Sequence, residues 1–352
     1  MSRWVGILRP VNGVDVLRVL RGDPSSRPAP DRALVAAARS HLEAAAAAWA
    51  EAVPAGVVVR VTKDAVTSVR RCEARHLADL AGRRAPVQPV PALVRGRLVD
   101  ALFRQVATIG WVGDDPVADA LAACAAEGEP EGASLDGLAD ADRAKVQAEV
   151  IAASAALVAA WPRLPAGAGL RTQERVLVPL GGGRVVLSGR PDLAIGRPTR
   201  RRAGVLVVEA KSGRFRPAHL EELRFYALLE ALRWGVAPFR VVVWSLGDGR
   251  IEAVEVDSDL VWSETLRVAD AITRLTRLAA GEAPRTSANP LCPFCPLVDR
   301  CPDGLRQIAL AGGGPPARGE GEDEDDAASG DGTGAHVLVA AVGAAARGGP
   351  GR

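Results

Sequence analysis

A chain of 352 residues, 48% of them hydrophobic, can bury a substantial core in one large domain or two ordinary ones, which excludes a wholly disordered or fibrous protein. Its net charge of +2 hides an asymmetry: residues 319–352 hold seven acids and two arginines, so residues 1–318 carry about +7, which permits a polyanionic partner without demanding one. No stretch combines a basic start with a long apolar run, and none reaches the length of a bilayer span, so a soluble, cytoplasmic protein without a membrane partner is expected.

In chain order, a short strand-like stretch and a Pro-rich link precede an alanine-rich helix over residues 31–52. The role of residues 1–60 is not legible. A second helix is expected over 62–80 with Cys72 inside it, then "RRAPVQPVP" breaks the pattern, and a third helix runs over 92–108. Gly, Pro and acids gather over 110–131, which reads as a variable insertion before a long helix over 140–161. The period then changes to two. "QERVLVPL", three glycines and "RVVLSGRPDLAI" read as an antiparallel hairpin, because consecutive glycines supply the positive φ of tight turns. "AGVLVVEAK" makes a third strand. Pro217 opens a helix ending near Trp234, "FRVVVWSL" and "RIEAVEVD" supply two more strands, and a helix over 258–280 precedes "CPFCPLVDRC". The acidic low-complexity tail, residues 311–352, is expected to be disordered.

Three ionisable residues stand among these apolar strands. Side chains alternate along a strand, so Val205, Val207, Glu209 and Lys211 share one face, and pairing with the preceding strand brings Asp192 alongside Glu209. Two close carboxylates repel and are costly to desolvate, which invites a counter-charge. A divalent cation such as Mg²⁺ suits carboxylate oxygen, and Lys211 beside it can orient or help deprotonate a water and stabilise developing negative charge. The plainer alternative has Asp192 capping a turn and Glu209 paired with Lys211 at a strand end; the combination of all three residues favours the metal site.

Pro191, Asp192, Glu209, Ala210 and Lys211 resemble the PD-(D/E)xK signature of the restriction-endonuclease-like nucleases. The order helix, hairpin, strand, helix, strand is similar to that superfamily's core, which implies an α/β fold: a mixed central sheet flanked by helices, here with helical N-terminal additions. Cys72, Cys292, Cys295 and Cys301 fall where the RecB-like branch, which includes the AddB nuclease domain and CRISPR-associated adaptation nucleases, ligates an iron-sulfur cluster. The resemblance covers roughly residues 62–302 and implies a nuclease domain over 61–310 closed by a 4Fe-4S cluster. Where the branch has Gly-x-x-x-His, this chain has Gly96 followed by Asp100, which makes Asp100 the expected third ligand of Mg²⁺ or Mn²⁺ beside Asp192 and Glu209. Where the branch has Gln-x-x-x-Tyr, this chain has Glu222 and Tyr226, on one helical face.

The activity thus implied is a metal-dependent DNA nuclease acting on single strands or duplex ends, in repair, recombination or defence, with a helicase or another nucleic-acid-processing protein as a possible partner. The chain has no GxxxxGK[ST] motor motif of its own. Arg200, Arg201, Arg202 and Arg214 are candidate phosphate contacts near the site, weighed against a solvated loop. His76 and His219 read as surface residues, and Cys124 as an apolar filler. Four thiolates also suit structural Zn²⁺. The rival reading is a catalytically impaired DNA-binding or partner-binding protein that keeps the fold; a zinc-stapled scaffold is a third.

Overall fold

The computed structural model describes residues 4–8, 16, 18, 20, 27–82, 90–129, 131–164 and 167–311. It is an α/β fold in which two mixed sheets are flanked by helices, as the sequence leads one to expect. The central strand is β7 (Leu206–Lys211), antiparallel on one side to β6 (Leu193–Ile195) and parallel on the other to β8 (Arg240–Ser245). β3 (Leu170–Thr172) extends the sheet beyond β6, and β9 (Arg250–Glu255) followed by β1 (Trp4–Leu8) completes it beyond β8. Parallel pairing of β7 with β8 needs a crossover, supplied by helix α8 (Pro217–Trp234).

The first part of β7 is apolar on both faces because both are covered. Val205 and Val207 pack into one core with α8, with α1 (Arg32–Ala52) and with α9 (Ser258–Ala279). Leu206 and Val208 pack into a second core with α4 (Pro91–Ile109) and α7 (Asp140–Ala160). The first 60 residues therefore contribute an edge strand and a core helix to the same body.

The three-stranded sheet consists of β2 (Val59–Val61), parallel to β5 (Val185–Gly189), which pairs antiparallel with β4 (Val176–Leu180). Gly181, Gly182 and Gly183 between β4 and β5 all have positive φ. At Gly181 a side chain is excluded twice over, since a Cβ there would stand 2.9 Å from the Ala46 carbonyl oxygen on α1. The expected hairpin is thus present, but its second arm does not run on to Ile195. The chain leaves one sheet at Gly189 and enters the other at Leu193, because Pro191 has no N–H with which to continue a ladder.

Two further expectations differ. The helix expected over 62–80 is two helices, α2 (Lys63–Arg71) and α3 (Glu73–Leu80), broken at Cys72, whose backbone is extended (φ −163°, ψ 110°). The supposed insertion over 110–131 contains α5 (Pro116–Ala126), capped by Asp115, whose carboxylate accepts from the N–H groups of Val117 (3.1 Å) and Ala118 (3.0 Å), and then α6 (Glu131–Asp136). Asp-Pro ahead of an alanine-rich run was the available start signal. The acidic tail lies outside the described residues. Among the described residues no helix is long and apolar enough to cross a membrane.

A buried carboxylate ties the C-terminal segment to this body. Glu73 accepts from Arg274 Nη1 (3.2 Å), Arg277 Nη1 (3.4 Å) and the backbone N–H of Arg285 (2.9 Å). Removing it leaves the Arg285 N–H without its acceptor and leaves Arg274 and Arg277 only their second partners, Asp270 and Glu282, so Glu73→Ala should lower Tm by a few degrees, measured by thermal melting. An unchanged Tm would show that the network contributes nothing.

Candidate active site

The register of the central sheet places the carboxylates. Leu193 pairs with Val208, so Asp192 comes to the end of β7, where its Oδ2 accepts the Ala210 N–H at 2.8 Å. Glu209 and Lys211 project from the same face of β7 toward it, and all three are buried. Asp100, from the middle of α4, completes the group through Gln173, whose amide donates to Asp192 Oδ1 (2.8 Å) and Asp100 Oδ1 (3.3 Å). Arg104 Nη1 holds the other Asp100 oxygen at 2.7 Å. These residues line a cleft of about 330 Å³ with Lys63, Arg97, Arg175, Arg190 and Tyr226 among its walls.

Four charged side chains interlock at its floor. Lys63 Nζ lies 3.1 Å from Glu209 Oε1 and 2.8 Å from Glu222 Oε2, while Lys211 Nζ lies 3.6 Å and 2.9 Å from the same two atoms. Burial pulls both ammonium groups toward neutrality, but Glu209 and Glu222 outweigh it and leave both lysines above their usual values, firmly cationic. Burial acts on Glu222 too, yet the two lysines hold its carboxyl well below the usual range. Asp192 goes the other way: burial, then the charges of Glu209 and Asp100, raise it well above an ordinary carboxylate. Asp100 is raised by burial and by Glu209 against the pull of Arg104. Burial and Glu209 likewise keep the Tyr226 phenol protonated, and its hydroxyl donates to the Arg190 carbonyl at 3.4 Å.

The expected site residues separate into two sets. Asp100, Asp192, Glu209, Lys211 and Tyr226 line the cleft, and Glu222 meets it through the lysines. Arg200, Arg201 and Arg202 are exposed in the loop joining β6 to β7, and because Ile195 pairs with Leu206, that loop lies at the opposite end of the hairpin from Asp192 and Glu209. Arg214 is exposed beyond β7 and does not line the cleft. The two histidines expected at the surface are buried instead. His76 Nδ1 is 2.7 Å from Ser68 Oγ across the break at Cys72, and His219 Nδ1 accepts the Arg216 N–H at 3.2 Å at the start of α8. Cys124 is a buried residue in the cleft wall whose thiol burial pushes up to about 11, in keeping with a filler.

Sequence reasoning missed Lys63 and Gln173. Lys63 falls in register with Val66 and Val69 on the buried face of α2, a signal that was present. Gln173 is the sole non-glycine with positive φ (49°) among the described residues, a strained conformation that residue type does not announce.

Burial pushes the Cys295 thiol up, and Cys72 and Cys292 raise it further. The segment is docked by Arg75 Nη1 donating to the Leu291 carbonyl (2.9 Å) and Ala74 N–H to that of Arg285 (3.2 Å). Backbone N–H groups of Asn289 and Gly304 point at Cys292 Sγ (3.3 Å) and Cys301 Sγ (3.4 Å). Among the described residues, no three His, Cys, Asp or Glu side chains stand in an arrangement that holds a metal ion as it is, neither at the cysteines nor in the cleft.

A family model described as the PD-(D/E)XK nuclease superfamily matches residues 60–302, from β2 to the last cysteine. The chain belongs to this superfamily. Its members typically hydrolyse phosphodiester bonds in nucleic acids and generally use Mg²⁺ or Mn²⁺. No curated protein matches the chain. The donor set suits such a hard cation: Glu209 Oε2 is buried and accepts no hydrogen bond, while its carboxylate neighbours Asp192 and Asp100 offer only oxygen.

The raised Asp192 makes a test of this electrostatics. The folded chain keeps a proton there from the unfolded value of about 3.9 up to the raised folded value, so across that window folding takes up a proton and rising pH destabilises the fold. In cation-free buffer from pH 5 to 8, the stability of the wild type should therefore fall relative to Asp192→Ala. A difference independent of pH would show that Asp192 titrates as an ordinary carboxylate.

Proposed function

We propose that the protein is a metal-dependent deoxyribonuclease of the RecB-like kind, acting on single strands or duplex ends. The observation that carries this reading is the convergence of Asp192, Glu209 and Lys211 at the end of β7 in an open cleft, with the buried Glu209 Oε2 left without a partner. Asp192 and Glu209, with Asp100 as the third carboxylate, would hold one Mg²⁺ or Mn²⁺. When bound, that ion supplies Lewis-acid stabilisation of a phosphate in transition and lowers the pKa of water.

The chain's own residues supply the rest. Lys211, held cationic by Glu209 and Glu222 despite burial, is suited to orient a water or a phosphate oxygen rather than to take a proton. Gln173 keeps Asp100 and Asp192 in register, and the Ala210 N–H fixes the Asp192 carboxylate. Arg97, Arg175 and Arg190 on the cleft walls offer contacts to a phosphodiester backbone. They are balanced by Asp64, Glu127 and Glu129, so DNA should bind well only when a divalent cation is present.

Asp192→Ala, Glu209→Ala and Lys211→Ala should each lower cleavage about a hundredfold or more with the fold retained, measured on end-labelled single- and double-stranded DNA with Mg²⁺ and Mn²⁺. Cleavage undiminished in Asp192→Ala would overturn the assignment of this site, and a wild type that binds DNA without cutting it would favour a binding protein that keeps the fold.

We propose further that Cys72, Cys292, Cys295 and Cys301 ligate one structural centre, a 4Fe-4S cluster. What supports this is the docking of the cysteine segment on the helix that follows Cys72 and the hydrogen bonds aimed at two of the sulfurs. Protein purified without oxygen should be brown and contain iron and acid-labile sulfide, and Cys72→Ser should bleach and destabilise it while Cys124→Ser does neither. One zinc per chain and no iron would make the centre a zinc staple.

A further inference from the structure

Lys63 occupies an unfavourable position. It sits in the first turn of α2, where the helix dipole opposes a cation, and it is buried on the face that otherwise carries Val66 and Val69. What offsets this cost is two carboxylates, Glu209 from β7 and Glu222 from α8, together with the Tyr226 ring 5.5 Å away. Packing alone would be served by a leucine or methionine. The position instead spends a buried charge on contact with a metal-ligand candidate.

The distances show how the charges are shared. Glu222 Oε2 is the closer partner of both ammonium groups, at 2.8 Å from Lys63 and 2.9 Å from Lys211. Glu209 meets the same two groups through Oε1 alone, at 3.1 Å and 3.6 Å, and its Oε2 stays without a hydrogen bond. Glu222 thus draws the two lysines off Glu209. The four side chains form a neutral set, two positive and two negative, so that the approach of a divalent cation is governed by Asp192 and Asp100 beside them.

We infer that Lys63 and Glu222 are a charge-matched positioning pair that sets how strongly the cleft carboxylates take a divalent cation. This rests on the reading of Asp192 and Glu209 as metal ligands. Deleting the Glu222 charge leaves two ammonium groups to settle on Glu209, which masks the ligand and repels the ion. Deleting the Lys63 charge leaves the set one negative charge richer. Deleting both restores neutrality, with Lys211 against Glu209.

The test is Mn²⁺ binding to DNA-free protein by titration calorimetry, beside thermal melts. Glu222→Gln should weaken Mn²⁺ binding by roughly tenfold or more, and Lys63→Gln should tighten it by a similar factor. The double variant should return to within about twofold of the wild type, as should Lys63→Arg, which keeps the charge. Both single variants should melt lower in any case, since each loses a partner of a buried charge; a purely structural role would move both affinities the same way or not at all, and either of these affinity results overturns the inference. Asp192→Asn separates this from the underlying reading. If it binds Mn²⁺ as the wild type does, or if the wild type binds none, the metal site itself is refuted and the pair's role with it. If it abolishes binding while the Lys63 and Glu222 variants fail to move affinity in opposite directions, only the pair's role falls. Should Lys63→Gln not fold, Lys63→Met, which keeps the stem and drops the charge, carries the same expectation of tighter binding.

Discussion

One hydrogen bond, from the Ala210 N–H to Asp192 Oδ2, fixes the start of β6 against the end of β7 and so places two buried carboxylates side by side. That juxtaposition is electrostatically unfavourable, and much of the surrounding structure can be understood as its compensation. Gln173 adopts a strained backbone to hold Asp192 and Asp100 together. Lys63 and Lys211 are buried to face Glu209, and the half-buried Glu222 faces them. A fold optimised for stability alone would put apolar residues at these places. Strain and buried charge concentrated in a cleft are what a site that handles charge requires.

Topology explains why the cleft forms at this end of β7. The strand is antiparallel to β6 on one side and parallel to β8 on the other, so the chain departs in different directions at its carboxyl end and leaves a crevice there. The crossover to β8 passes through α8, which begins soon after Lys211 and lays Glu222 and Tyr226 across the strand end. Close approach of α8 to β5 depends on Gly189, where a Cβ would meet Leu229 at 2.8 Å and Tyr226 at 2.9 Å. Function at the mouth therefore rests on a backbone contact one layer down.

What the sequence disclosed follows from which features are periodic. Alternation along "VLVVEAK" was enough to put Glu209 and Lys211 on one face, and Pro217 marked the start of α8. Features that depend on tertiary placement were not legible. The burial of His76 follows from the bend at Cys72, which brings its ring to Ser68, and a helical pattern running through Cys72 conceals that bend. The register of β6 against β7, with Ile195 opposite Leu206, decides that Arg200 to Arg202 lie at the far end of the hairpin from the carboxylates, although proximity in sequence suggested otherwise. Lys63 was readable only as a cation on an apolar face, and its partners come from residues 146 and 159 positions later.

The cysteine segment is attached to α3 by hydrogen bonds that involve no sulfur: Ala74 and Arg75 to the backbone of Arg285 and Leu291, and Glu73 to the Arg285 N–H. Since β3 to β9 all lie between Cys72 and Cys292, this docking closes a loop around the whole six-stranded core except its β1 edge. Joining the ends of so long a loop costs entropy that grows only slowly with its length, so a few buried polar contacts can hold it. An inorganic centre at the thiols would reinforce a junction the polypeptide already makes. α3 follows α2 with only the extended Cys72 between them, so the junction is one residue removed from the helix whose first turn carries Lys63 into the cleft.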